Sequence, residues 1–88
     1  RFAANTVTIK GRFSTFTRTG DAGSRLTYQF CPDCGSTIAY KINVWPDVIA
    51  VPLGAFGDDS FPAPAYSIYE RRKPNWISVN GEGTEHID

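Results

Sequence analysis

Cysteine, histidine and methionine, the side chains that bind soft metals, are scarce in this sequence. Its 88 residues include two cysteines, one histidine and no methionine. Two cysteines are too few for the disulfide framework of a small secreted domain, so we expect a cytoplasmic protein. Because the sequence starts at Arg1 and contains no methionine, we also expect it to be part of a longer translation product.

An excess of charge of one sign and long apolar runs are absent as well. Nine basic and nine acidic residues cancel, which excludes a general attraction to nucleic acid or to an acidic membrane surface. No apolar run reaches the roughly 18 residues that a transmembrane helix needs. The composition is globular, with 41% hydrophobic, 14% aromatic and 20% charged residues. Such a short chain forms one small domain, whose core is barely sufficient without a staple such as a metal.

The hydrophobic pattern is that of an all-β protein. Apolar and polar residues alternate in several segments, and no window has the period of a helix beyond a single turn near 71–75. The predicted strands lie within residues 6–10, 25–30, 37–44, 48–53, 65–70 and 76–79. We therefore predict small antiparallel sheets in one domain over residues 1–80, followed by a polar tail at 81–88.

The strongest local motif is CPDCG at 31–35, between two predicted strands. Its spacing brings both thiolates to one side of a tight turn, and the glycine can take the positive φ that lets the chain curl under the sulfurs. This pattern favours a metal knuckle. A thioredoxin-like redox pair needs a helix after the motif, whereas the residues after Gly35 have a strand pattern. A third interpretation, two buried side chains or an incidental disulfide, leaves the proline and the glycine unexplained.

A zinc knuckle is only half of a metal site. Closed structural zinc sites have four ligands, almost always cysteine or histidine. Cys31 and Cys34 are the only thiols, and His86 lies in a polar tail, where an imidazole is usually solvated. We therefore predict that zinc binds Cys31 and Cys34. At least two further ligands are expected outside these residues, upstream of Arg1 or on a neighbouring chain.

Three segments together resemble a known family: FCPDCG at 30–35, VPLGAFGDD at 51–59 and KPNW at 73–76. From about Thr6 to Val79 the chain is similar to the C-terminal two-thirds of the glutathione-dependent formaldehyde-activating enzymes, which include centromere protein V-like proteins. The resemblance implies an Mss4-like fold around zinc. It also implies that the cysteines of the CPDCG motif hold a structural zinc together with an upstream Cys-x-Cys pair.

The resemblance further implies an activity, the joining of formaldehyde to glutathione through a carbon–sulfur bond. A second, catalytic zinc is implied in a cysteine cluster that this chain lacks. The catalytic residues are thus expected upstream of Arg1, and these residues alone are expected to be inactive. The implied partner is a small thiol such as glutathione, with a homodimer left open. An alternative is a non-catalytic Mss4-like zinc module for protein binding or chaperoning. A methionine sulfoxide reductase B-like enzyme would need a reactive cysteine after Cys34, and none is present.

A cationic segment, YERRKPNW at 69–76, has two interpretations. Arg71, Arg72 and Lys73 could bind the carboxylates of a glutathione-like substrate, with Trp76 as a wall of the site. Alternatively, the segment is a solvated turn whose tryptophan is anchored in the core.

Overall fold

The computed structural model describes all 88 residues, Arg1–Asp88, and confirms an all-β protein. The strands are β1 (Phe2–Ala3), β2 (Ser14–Thr19), β3 (Arg25–Phe30), β4 (Thr37–Ile42), β5 (Val48–Ile49), β6 (Tyr66–Ser67) and β7 (Glu85–His86). Short 3-10 helices span Ala4–Thr6, Leu53–Phe56 and Glu70–Arg72. The chain forms no helix with the length and apolarity needed to cross a bilayer.

The longest strands form one antiparallel sheet in the order β2–β3–β4. Cross-strand pairs of like residues join them. Thr17 Oγ1 lies 3.0 Å from Thr27 Oγ1 between β2 and β3. Between β3 and β4, the ring centroids of Tyr28 and Tyr40 are 5.4 Å apart. This sheet is the framework on which the candidate site is built.

A β-bulge interrupts the pairing of β3 with β4. Gln29 lies opposite Ala39, whereas the next residue, Phe30, lies opposite Thr37. Ile38 is therefore the extra residue, and bulges of this kind bend a strand and re-aim the side chain that they contain. The sheet thus changes direction immediately before the CPDCG turn.

A bridge continues the sheet beyond β4. The Tyr40 N–H donates to the Ala50 carbonyl at 2.8 Å, and the Ala50 N–H donates to the Tyr40 carbonyl at 2.9 Å. Ala50 follows β5, which pairs antiparallel with β1. The buried core lies along this junction and consists of Ala39, Ile49 and Ala50. Since two of these side chains are single methyl groups, the core contributes little hydrophobic free energy.

The strand predicted at 25–30 is confirmed, and the one predicted at 37–44 forms but ends at Ile42. Asn43 ends it by bonding to the neighbouring strand through its side chain as well as its backbone. Its Oδ1 accepts a hydrogen bond from the Arg25 N–H at 2.8 Å, and its own N–H donates to the Arg25 carbonyl at 3.0 Å. The chain then turns away towards β5.

The prediction of a strand at 6–10 is wrong, because these residues join no ladder. The alternation in the sequence still has a physical basis. Val7 and Ile9 are half-buried, whereas Thr8 and Lys10 are exposed. Period-two alternation indicates an extended chain with one covered face, and that does not require a hydrogen-bonded neighbour.

Other predicted strands are shorter than expected or absent. The segment at 48–53 contains β5, which ends at Ile49, and Pro52 lacks the N–H that a ladder would need. The segment at 65–70 keeps only the two residues of β6, and residues 76–79 form no strand.

Strand β2 was not predicted. Its sequence STFTRT has one large apolar side chain, Phe16, so the hydrophobic pattern is weak. Two sequence features could have predicted this strand. They are its three alternating threonines, a residue type favoured in strands, and the glycine-containing turn that follows. The Gly20 N–H closes that turn by donating to the Ser24 carbonyl at 2.7 Å.

The chain divides into two compact units, residues 1–58 and 59–88. The second unit contains β6 and β7, which pair in parallel. The Glu85 N–H donates to the Ala65 carbonyl at 3.0 Å, and the Ile87 N–H donates to the Ser67 carbonyl at 2.8 Å. Residues 81–88 thus contain a paired strand although most of their side chains are exposed. A domain boundary at residue 80 stays a prediction.

Candidate metal centre

The CPDCG turn begins directly after β3 and its bulge. The Cys31 N–H donates to the Ser36 carbonyl at 2.9 Å, and the Gly35 N–H donates to the Cys31 carbonyl at 2.8 Å. Gly35 has a φ of +79°, a left-handed conformation that residues with a side chain rarely adopt. Backbone geometry therefore closes the turn around both cysteines.

Both cysteines are free thiols; Cys31 is half-buried and Cys34 is exposed. The Cys34 Sγ lies 3.3 Å from the Ser36 Oγ. Hydrogen bonds to the hydroxyl and the backbone of Ser36, and then to Cys31, hold the pKa of the Cys34 thiol below its ordinary value of 9.0. Since zinc binds the thiolate, a lowered pKa makes this cysteine a better ligand near neutral pH.

An ion pair contacts the turn from the segment that precedes β2. Arg12 Nη2 lies 2.9 and 3.1 Å from the two carboxylate oxygens of Asp33. The two side chains are 73% and 76% exposed, so the pair contributes less than about 1 kcal/mol to stability. The pair links the turn to the segment before β2.

The two thiols match half of a zinc site. Structural zinc takes four cysteine or histidine ligands in a tetrahedron, with each sulfur about 2.3 Å from the metal. Within residues 1–88, no group of three or more His, Cys, Asp or Glu side chains could hold a metal ion. The residues present therefore fit zinc as a chelating pair to which further ligands must be added.

His86 contacts a carboxylate in the second unit. Its Nδ1 is in hydrogen-bonding contact with Glu70 Oε1, which joins β7 to the 3-10 helix Glu70–Arg72. The Glu70 side chain is only 9% exposed, and its Oε2 is buried without a hydrogen-bond partner. The contact with His86 is the main cause that holds the pKa of Glu70 below its ordinary value of 4.5, with Lys73 and Ser67 also lowering it.

The four residues predicted to bind substrate lie together in sequence and are all exposed. Arg71 and Arg72 end the 3-10 helix, and Lys73 follows it. The Arg72 guanidinium lies over the ring of Tyr69, 5.5 Å from its centroid. Trp76 is 83% exposed, so it is not anchored in a core.

Two clefts in the first unit were not predicted from the sequence. The apolar cleft, of about 500 Å³, is lined mainly by Phe2, Val7, Ile9, Ile38, Val51 and Phe56. The second cleft, of about 460 Å³, is lined by Ser36, Thr37, Ile38, Pro52, Gly54 and Ala55. Ile38 and Ala55 line both clefts. The alternation of apolar and polar residues at 6–10 indicated a covered face, which is one wall of the apolar cleft. Nothing in the sequence identified Ile38 as the bulged residue.

Comparison with known proteins gives one finding. The model of a family described as glutathione-dependent formaldehyde-activating enzyme matches residues 1–72. The matched range contains the CPDCG turn and the VPLGAFGDD segment and ends just before KPNW at 73–76. No curated protein and no solved structure matches the chain significantly. Because the family model covers most of the chain, the protein belongs to the glutathione-dependent formaldehyde-activating enzyme family.

Proposed function

We propose that the protein binds zinc through the thiolates of Cys31 and Cys34, and that this zinc is structural. The observation that carries the proposal is a closed turn with two free thiols, one of which has a lowered pKa. Family membership supports it. A structural site needs four ligands, and these residues offer two of them.

We also propose that the protein takes part in the carbon–sulfur chemistry for which its family is named. In the direction of synthesis, the glutathione sulfur bonds to the carbonyl carbon of formaldehyde and the thiol proton moves to the carbonyl oxygen. The lyase direction reverses both changes. A closed structural zinc has no open position for substrate, so the zinc at Cys31 and Cys34 would stabilise the fold and would supply no Lewis acidity to this step. Because both cysteines serve as ligands, neither remains as a nucleophile, and the reacting groups are others.

The cationic segment supports binding of an acidic thiol. Arg71, Arg72 and Lys73 present three positive charges to solvent, and glutathione carries two carboxylates. The exposed Trp76 offers an aromatic surface close to them in sequence. These residues would bind and orient substrate; they provide no group for the chemical step.

A non-catalytic zinc module for protein binding is the second candidate. Large apolar side chains are unusually accessible, including Phe16 and Tyr69 at 60% and Trp76 at 83%. Exposed aromatic side chains on a small domain are a common feature of protein interaction surfaces.

Replacing one proposed ligand tests the zinc assignment. Cys34→Ser is expected to lower the zinc content per chain and to reduce the melting temperature by roughly 10 °C or more, because metal binding is part of the folding free energy. Arg72→Ala is the control, since an exposed cation contributes under about 0.5 kcal/mol to stability. It should keep its zinc and shift the melting temperature by less than about 4 °C.

Turnover of glutathione and formaldehyde by the full-length gene product then separates the two candidate functions, since residues 1–88 alone are expected to be inactive. Activity that Arg72→Ala lowers through a raised KM supports the enzyme. Absence of turnover in zinc-loaded protein that still binds other proteins supports the interaction module. A Cys34→Ser protein that keeps its zinc and melting temperature but loses turnover would show that the turn is catalytic rather than structural.

A further inference from the structure

The two clefts of the first unit form neighbouring parts of one surface. Both are lined by Ile38 and Ala55, so the apolar cleft and the second cleft meet along these side chains. Volumes of about 500 and 460 Å³ lie in the range of small-molecule sites. Such sites are mostly apolar and contain a few polar groups that orient the ligand.

Local backbone features place the apolar lining. The bulge between β3 and β4 makes Ile38 the extra residue of its strand. In the extended segment at 6–10, Val7 and Ile9 are half-buried, whereas Thr8 and Lys10 are exposed. Phe2 and Phe56 close one side, with ring centroids 5.8 Å apart and planes tilted by 59°. The lining therefore comes from four separate segments of the first unit.

Polar residues line both clefts: Thr6, Thr8 and Lys10 line the apolar cleft, and Ser36 and Thr37 line the second. Lys10 is the one charged residue that lines the apolar cleft. Ser36 lines the second cleft, and its Oγ is 3.3 Å from the Cys34 Sγ. The surface thus has one cation among apolar side chains, and its second cleft adjoins the candidate metal centre.

We propose that these clefts bind the apolar body of a monocarboxylate, with Lys10 holding the carboxylate. One lysine complements one negative charge, whereas glutathione carries two carboxylates and an ammonium group, for which this lining has no further charged partner. The inference goes beyond the proposed function, because the acid bound here is a ligand other than glutathione. Binding itself requires neither zinc nor turnover.

Titration with octanoate tests the proposal, and octanamide serves as the uncharged ligand of matched shape. Binding is followed by NMR through the methyl groups of Ile38 and Val51, with the Ile87 methyl in the second unit as an internal reference. Octanoate is expected to shift the first two signals in a saturable way. It is expected to bind more tightly than octanamide, by about two- to fivefold, the range that one exposed charge pair provides.

Two variants with matched controls locate the site. Lys10→Gln should weaken octanoate by the same two- to fivefold and leave octanamide unchanged, whereas Lys41→Gln, at an exposed position of β4, should change neither. Ala55→Trp should weaken both ligands at least about tenfold by filling the clefts. Ala22→Trp, in the turn between β2 and β3, should weaken neither.

Several results would overturn the proposal. They are unchanged Ile38 and Val51 signals, equal affinity for the two ligands, or unaltered octanoate binding in Ala55→Trp. Failure of the proposed function looks different. Octanoate binding without turnover of any thiol adduct would contradict the proposed enzyme activity and support the proposed ligand site. Glutathione turnover without octanoate binding would support the enzyme activity and contradict the ligand site.

Discussion

Two glycines differ in backbone conformation although both have open space around them. A Cβ at Gly35 or at Gly54 would meet no atom within 4 Å, but only Gly35 has a positive φ, of +79°. Gly35→Ala is therefore expected to destabilise the protein by about 1–2 kcal/mol through backbone strain alone. Gly54→Ala should be neutral or stabilising by up to about 1 kcal/mol. Urea denaturation measures both, and equal effects would contradict a conformational role for Gly35.

Residues that form a recognisable motif could be identified from the sequence as members of the candidate site. Cys31, Cys34 and Gly35 were identified by spacing, because a turn with two thiols and a glycine has few uses. Ile38, Ser36 and Lys10 were not, because nothing distinguishes them from ordinary strand and loop residues. The place of Ile38 depends on the one-residue register shift between β3 and β4, and Lys10 and Ser36 line the clefts from other segments of the chain.

At the scale of elements, strand β7 is held to its neighbours by a titratable contact. His86 contacts Glu70, and the Glu70 N–H donates to the Ile87 carbonyl at 3.0 Å. Because the folded-state pKa of Glu70 is lowered, its ionisation contributes stability above pH 4.5, and that contribution is lost as the pH falls through the folded-state pKa. Local opening of the second unit should therefore become more frequent on acidification.

Replacing the histidine tests this. In His86→Ala the largest cause of the lowered pKa is gone, so the Glu70 carboxyl should titrate at higher pH than in the wild type. NMR of the carboxyl carbon measures the change directly. Glu85→Gln, an exposed neighbour on β7, is the control and should leave the Glu70 titration in place. An unaltered titration in His86→Ala would contradict the contact.

The elements themselves were predictable to the extent that their patterns were strong. Strands β3 and β4 alternate large apolar side chains, so sequence and structure agree over most of their length. Strand β2 is rich in threonine and acquires its place by pairing with β3. The two-residue strands β1, β5, β6 and β7 are too short for any period to be read.

At the scale of the whole molecule, the two units differ in how much they bury. All three residues of the buried hydrophobic core lie in residues 1–58, and residues 59–88 contribute none. Chains below about 40 residues usually need disulfides, a metal or a partner to fold. A peptide of residues 59–88 is therefore expected to be disordered, whereas residues 1–58 should retain the β2–β3–β4 hairpin signals.

Proton NMR of the two peptides provides the measurement. Dispersed amide signals from the shorter peptide alone, at concentrations where it is monomeric, would show that the second unit has an independent source of stability. Loss of amide-signal dispersion in both peptides would show that neither unit folds without the rest of the chain.

The pairing of β1 with β5 has a consequence for access to the apolar cleft. Strand β1 pairs through two residue pairs, Phe2 opposite Ile49 and Ala3 opposite Val48, which close a far longer loop than the β2–β3 turn does. Loop-closure entropy opposes such a contact, and the hydrogen bonds of two residue pairs offset little of that cost. Backbone amides of β1 should thus exchange with solvent much faster than those of β3. Since Phe2 is a cleft wall, detachment of β1 should widen the cleft, and the rate of ligand entry is expected to follow the exchange rate of the β1 amides.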